Sequence, residues 1–108
     1  MSEDIGTVTI DSRAEGDDAI VTVAGELDPH TAPLLERALD DAASAAKGNV
    51  IVDVAGLTFI DSSGLRVVLG ARRSLVDQDR HLLLRSPSDT VQRLLDIVGL
   101  SDYVEIDR

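Results

Sequence analysis

Ser62 and Ser63 are adjacent hydroxyls followed by Gly64, and they stand where a β-branched apolar run gives way to a helical pattern. The run is Asn49-Val50-Ile51-Val52-Asp53-Val54, which predicts a central strand covered on both faces. Beyond the serines, Leu65, Val68, Leu69, Leu75 and Val76 recur at helical spacing. Asp61 fits the N-cap of that helix, which puts Ser62 and Ser63 in its first turn. Backbone N–H groups without intrahelical partners, and the positive end of the helix dipole, point outward at such a place. It suits a phosphate, whether bound or covalently attached.

Catalytic readings of the same residues fare poorly. A serine between strand and helix suggests the nucleophile elbow of hydrolases, which needs Gly-x-Ser-x-Gly. Ile60-Asp61-Ser62-Ser63-Gly64 has isoleucine at the first glycine position. The candidate bases are His30 and His81, and neither is followed by an orienting carboxylate at a useful spacing. No Gly-rich P-loop and no Gly-x-Gly-x-x-Gly is present. Asp17-Asp18 reads as a turn and Asp40-Asp41 as a solvated helix face. The two histidines are far apart and lack clustered acidic partners, so no metal site is expected. The chain contains no cysteine, which excludes disulfides, thiol catalysis and thiolate metal sites. No cofactor is implied. The sequence offers a hydroxyl acceptor without machinery to use it.

Composition narrows the partners. At 108 residues and 44% hydrophobic content, the chain reads as one domain, 1–108, able to build a core without metal or disulfide. Phe59 and Tyr103 are its only aromatics, so core packing falls to Val, Leu, Ile and Ala. That scarcity also argues against a stacking platform for single-stranded nucleic acid. A net charge of −10 disfavours nucleic acid and anionic membranes. It serves solubility, and it could steer the chain towards a basic partner. Met1-Ser2-Glu3-Asp4 lacks the basic start and apolar run of a signal peptide, and no segment is apolar enough to span a bilayer. Cytoplasmic residence is the expectation.

The elements that must position the serines follow from periodicity and turn chemistry. Thr7 to Asp11 and Ala19 to Ala24 read as an antiparallel hairpin near the sheet edge, with Glu15-Gly16-Asp17-Asp18 as the turn. Leu35, Ala38, Leu39, Ala42 and Ala46 then form one helical face, ended by Lys47-Gly48. Asp28 with Pro29 fits the start of that helix, but Thr31 as cap places Pro33 safely in the first turn. Asn49 to Val54 is a strand, Ser62 to Asp77 a helix and His81 to Arg85 a strand. Ser86-Pro87-Ser88-Asp89 resembles a capping box with proline at the first helical position. Val91, Leu94, Leu95 and Val98 stripe the last helix, Gly99 closes it, and Tyr103 to Ile106 reads as a short strand or an irregular tail. Alternating strand and helix implies parallel crossovers. The expected fold is a single α/β domain with a mixed sheet and helices packed mainly on one face.

Two blocks resemble the STAS domain family, and within it the bacterial anti-sigma factor antagonists. Gly25-Glu26-Leu27-Asp28-Pro29-His30-Thr31-Ala32-Pro33-Leu34 is similar to the family's Gly-Glu-Leu-Asp-x-x-Thr-Ala segment. Phe59-Ile60-Asp61-Ser62-Ser63-Gly64-Leu65 resembles its phosphoacceptor loop and following helix. Val50-Ile51-Val52-Asp53 and Leu94-Leu95-Asp96-Ile97-Val98-Gly99-Leu100 also fit, so the resemblance spans nearly the whole chain.

The resemblance implies a binding protein rather than an enzyme. Its unphosphorylated form would engage an anti-sigma factor that is also a serine kinase, causing release of the sigma factor. The kinase would then phosphorylate it and let go, and a serine phosphatase could reverse the mark. By position the acceptor is Ser63, with Ser62 as second choice. The implied partner-facing set is Asp28, His30, Thr31, Asp61, Ser62, Ser63, Gly64 and Leu65. Simpler roles stand beside these: Asp28, Thr31 and Asp61 as caps, Gly64 as a close-packing residue. A hydrolase and an accessory subunit of a transporter or signalling assembly are the competing functions. The Ser-Ser-Gly loop favours the antagonist.

Overall fold

The run Asn49 to Val54 becomes the start of a central strand in the computed structural model, which describes residues 2–5, 8–99 and 105–107. The described residues form six strands: β1 (Ser2–Ile5), β2 (Val8–Glu15), β3 (Asp18–Leu27), β4 (Val50–Ile60), β5 (Leu82–Arg85) and β6 (Glu105–Asp107). They lie in the sheet in sequence order. β1, β2 and β3 pair antiparallel, and β3, β4, β5 and β6 pair parallel. The hairpin turn holds Gly16 at φ +62°, where glycine pays no steric penalty. β1 has no counterpart in the sequence reading, because Ser-Glu-Asp-Ile carries little strand propensity. Thr7 and Tyr103 lie outside the described residues, and of the expected last segment Glu105 and Ile106 are strand.

Each parallel connection carries a helix: α1 (Ala32–Ala45), α2 (Ser62–Val76) and α3 (Asp89–Ile97). Right-handed crossovers that always step the same way along a sheet put their helices on the same face. The core accordingly has two layers. Val21, Val23, Val50, Val52, Val54, Leu82 and Leu84 face Leu35, Leu39, Val68, Leu75, Val91 and Leu95. Among the described residues every fully buried large side chain is aliphatic, and Phe59 stays 44% exposed. The apolar stripes are narrower than their periodicity predicts, since Val76 and Val98 are exposed.

The expectation of a strand covered on both faces needs correction. Val50, Val52 and Val54 face the helices, whereas Ile51 points to the other side beside its register partners Ile20 and Leu83. Ile20 and Ile51 are buried there. No helix covers that side among the described residues, so neighbouring strands shield them. A second correction concerns α3. Its N-cap is Ser88, whose hydroxyl accepts from the Val91 amide at 3.2 Å, and Pro87 precedes the cap. Ser86 takes φ +56° to make that entry.

β3 and β4 both run well past their expected ends. Register shifts after Thr22 and Gly25 absorb the irregular stretch. Gly56 lies so close to Ala24 that a Cβ would come within 2.9 Å of the Ala24 Cβ. The Thr58 hydroxyl donates to the Gly25 carbonyl at 3.0 Å. Pairing then resumes as Glu26 with Phe59 and Leu27 with Ile60. This extension delivers both family-like segments to one edge of the sheet.

Candidate functional site

The site is built where two parallel strands end side by side. The Asp61 amide donates to the Leu27 carbonyl at 3.1 Å, so the serine loop is tied to the last residue of β3. Asp28 follows Leu27 directly, and the two loops share one edge. Ligand sites in open α/β sheets collect at such carboxyl ends of strands.

In the first loop, the Asp28 carboxylate organises its own turn. Its Oδ1 accepts the His30 and Thr31 amides, each at 2.9 Å. The Thr31 amide, against the burial cost, is the main cause holding this carboxyl below its ordinary value, with the Thr31 hydroxyl and His30 adding to it. Asp28 is half-buried and His30 exposed, so both can meet a partner.

Thr31 cannot. It is fully buried, and its hydroxyl accepts the Asp28 amide at 3.0 Å and donates to the Glu26 carbonyl at 2.9 Å. Thr31 occupies the N-cap position of α1 without a side-chain cap bond, and Pro33 falls in the first turn. It is removed from the partner-facing set and becomes the internal strut of the loop. Asp28 likewise closes the preceding turn instead of capping α1.

In the second loop, Asp61 is a true N-cap with extended backbone. Its Oδ1 accepts the Ser63 amide at 2.8 Å and the Gly64 amide at 3.3 Å. Two of the amides expected to point outward are therefore already occupied. Ser62 is exposed and Ser63 half-buried. Neither hydroxyl has a hydrogen-bond partner among the described residues, and no histidine bonds to either. His81, just before β5, instead pairs with Glu105 of β6, Nδ1 to Oε1 at 2.8 Å. No cluster of three metal-ligating side chains occurs among the described residues.

Gly64 takes the close-packing role of the two expected for it. It is buried, and a Cβ there would meet Ile60 Cγ1 at 2.8 Å and Leu27 Cβ at 3.0 Å. The residue lets α2 sit tightly on the ends of β3 and β4, and its missing side chain faces inward. Leu65 is half-buried against the core. The side chains left to meet a partner are Asp28, His30, Asp61, Ser62, Ser63 and part of Leu65.

The sequence reading missed the surface beside the serines. A shallow groove of about 480 Å³ runs along α2, lined by Ser62, Leu65, Arg66, Leu69, Gly70, Arg73 and Val98. α2 carries Arg66, Arg72 and Arg73 and no acidic residue, on a chain whose net charge is −10. None of the three has an ion-pair partner among the described residues. The signal was present in the sequence, since Arg66 stands three residues after Ser63 and four after Ser62.

The whole arrangement, strand order and loop pair included, can be set beside known proteins. The STAS domain family matches residues 9–108. The chain belongs to that family.

This STAS domain is 38% identical over 101 residues to an anti-sigma-B factor antagonist of Listeria monocytogenes, covering 92% of this chain and 88% of the relative. It is 34% identical over 107 residues to the anti-sigma-B factor antagonist of Staphylococcus epidermidis, covering 99% and 94%. Among solved structures it superposes on the anti-sigma factor antagonist SpoIIAA in its unphosphorylated form with a TM-score of 0.77, at 26% identity over 92% of this chain and 88% of that one. The Bacillus cell fate determinant SpoIIAA in its phosphorylated form gives a TM-score of 0.70 at 25% identity, covering 92% and 91%. The expected fold of the STAS domain, a mixed sheet with helices on one face, is the observed one. No described helix is long and apolar enough to cross a membrane.

Proposed function

We propose that this STAS domain is an anti-sigma factor antagonist switched by phosphorylation of Ser63. The observation that carries the reading is the pairing of Asp61 with Leu27 at the shared strand edge. It sets the Asp28 turn beside two serine hydroxyls that have no internal partner. The unphosphorylated form binds an anti-sigma factor with serine kinase activity, and the sigma factor is released. The partner uses ATP in the cytoplasm, which is where the chain acts.

The reaction belongs to the partner. Ser63 Oγ attacks the γ-phosphorus of ATP, the bond to the β–γ bridging oxygen breaks, ADP leaves, and a base on the kinase takes the hydroxyl proton. The STAS domain supplies a half-buried acceptor hydroxyl on a helix end capped by Asp61. A serine phosphatase would restore it by hydrolysis. This chain performs no catalysis in the scheme and requires no cofactor.

Binding physics supports a switch. Phosphorylation adds about −1.5 to −2 charges at pH 7. Burying that charge in an interface, or facing it with acidic groups, costs several kcal/mol. At ~1.4 kcal/mol per tenfold, a loss of ~4 kcal/mol is about three decades of affinity. Incubating the chain with its anti-sigma kinase and ATP, then mapping the phosphate by fragmentation mass spectrometry, tests the assignment. Phosphate on Ser63, absent from Ser63→Ala, is the expected result. Dominant phosphate on Ser62 would overturn it.

A further inference from the structure

Ser63 and Arg66 lie one helical turn apart on α2, and that spacing sets their side chains next to each other. Residues three apart on a helix have Cβ atoms about 5–6 Å apart, and long side chains lean towards the helix N-terminus. Arg66 therefore leans over the turn that carries the serines. Ser62 and Arg66 line the same groove, in agreement with that direction. Arg66 is exposed and has no ion-pair partner among the described residues. Glu36 and Asp40 of α1 share a second hollow with it, but neither forms an ion pair with it.

A phosphate on Ser63 needs counter-charge that the helix end no longer offers. The Ser63 and Gly64 amides are held by the Asp61 carboxylate, and the Leu65 amide by the Asp61 carbonyl at 3.1 Å. The Ser62 amide alone of this turn has no acceptor among the described residues. Asp61 itself would repel the incoming dianion. A guanidinium one turn along is the group free to answer it, and its planar fork matches phosphate oxygens.

We propose that Arg66 is the intramolecular partner of a phosphate on Ser63. The proposal rests on the reading of Ser63 as the acceptor. Its consequence is a switch with two effects at once. Modification adds negative charge at the strand edge and withdraws Arg66 from the cationic stripe of α2. A partner that meets this helix end loses a favourable cation and gains an unfavourable anion.

The test installs phosphoserine at residue 63 by genetic encoding, so its outcome is independent of which serine a kinase selects. Phosphorus NMR then follows the second ionisation of the phosphate, ordinarily at a pH of about 6. The midpoint in the otherwise wild-type chain should lie at least about 0.3 pH unit below that in Arg66→Gln. The gap should shrink in about 1 M salt, which screens an exposed pair. Arg73→Gln, roughly two turns further along α2, should leave the midpoint at the wild-type value. Equal midpoints with and without Arg66 would overturn the pairing. So would a rise in Arg73→Gln as large as that in Arg66→Gln, since it would point to the general field of the helix.

Discussion

Asp61 Oδ1 lies 2.8 Å from the Ser63 amide nitrogen, so the cap of α2 and the proposed phosphoacceptor are one hydrogen-bonded unit. The carboxylate fixes the backbone that presents the hydroxyl. It also sits beside the place a phosphate would occupy. Removing the cap should therefore show as lost stability before any effect on partner binding is considered. Asp61→Ala should cost about 1 kcal/mol, while Asp61→Asn, which caps comparably, should cost little. For a domain of this size that corresponds to a fall of about 4–8 °C in Tm, read by thermal unfolding. Equal stability of Asp61→Ala and wild type would mean that the helix end does not depend on this bond.

Ser63→Glu separates a charge switch from a structural one. The Ser63 side chain is half-buried without a hydrogen-bond partner, so the substitution should fold with a Tm within a few degrees of wild type. Affinity for the anti-sigma partner, measured by titration calorimetry, should fall at least about tenfold, or 1.4 kcal/mol. Undiminished binding would contradict the mechanism.

Asp28 allows a test by both binding and pH. Its folded-state carboxyl is held below the ordinary 3.8, so the ionised turn contributes stability at pH values above that and loses it as pH falls through the folded value. Asparagine can accept the same two amides but does not titrate. The stability gap between wild type and Asp28→Asn should be constant near neutrality and close on the acid limb, as followed by unfolding at a series of pH values. Partner binding by Asp28→Asn should be weaker and less dependent on salt. Affinity equal to that of wild type at both low and high salt would confine Asp28 to shaping its turn.

Gly64 should resist enlargement. A methyl group there enters the space of Ile60 and Leu27, with Ile60 Cγ1 2.8 Å away. Overpacking of this kind typically costs about 1–3 kcal/mol, so Gly64→Ala should lower the urea midpoint. A wild-type midpoint would show that α2 can lift off the strand ends freely.

Arg80 should matter to the fold although it is far from the serines in the chain. Its guanidinium donates to the carbonyls of Gly48 at 2.7 Å, Ala46 at 2.9 Å and Ala43 at 3.0 Å. These carbonyls belong to the end of α1 and the turn after it, which a cation suits. Arg80→Lys keeps the charge but loses the fork, and should cost about 1–3 kcal/mol in chemical denaturation. Stability equal to wild type would mean that water replaces these bonds without loss.

Local chemistry made much of this protein legible in its sequence. The apolar periods of Leu35–Ala42, Val50–Val54 and Val91–Leu95 marked elements that bury those residues, because a helix or strand must hide its apolar face. Asp61 as N-cap, Thr31 before Ala32 and Gly16 in the hairpin turn were readable because each depends on neighbours a few positions away. The two blocks that resemble the family likewise pointed to Asp28 and the serine pair. What the sequence could not decide were the contacts between segments distant along the chain. Gly56 interrupts the apolar run that ends at Val54, yet β3 offers a ladder that carries β4 on to Ile60. That extension joins Asp61 to Leu27 and brings the two loops together. The inward-facing Gly64 against Leu27 and the reach of Arg80 to α1 arise in the same way. Each is a pairing between segments separated in sequence, and only the closed sheet with its helices in place brings those partners within a hydrogen bond or a van der Waals radius of each other.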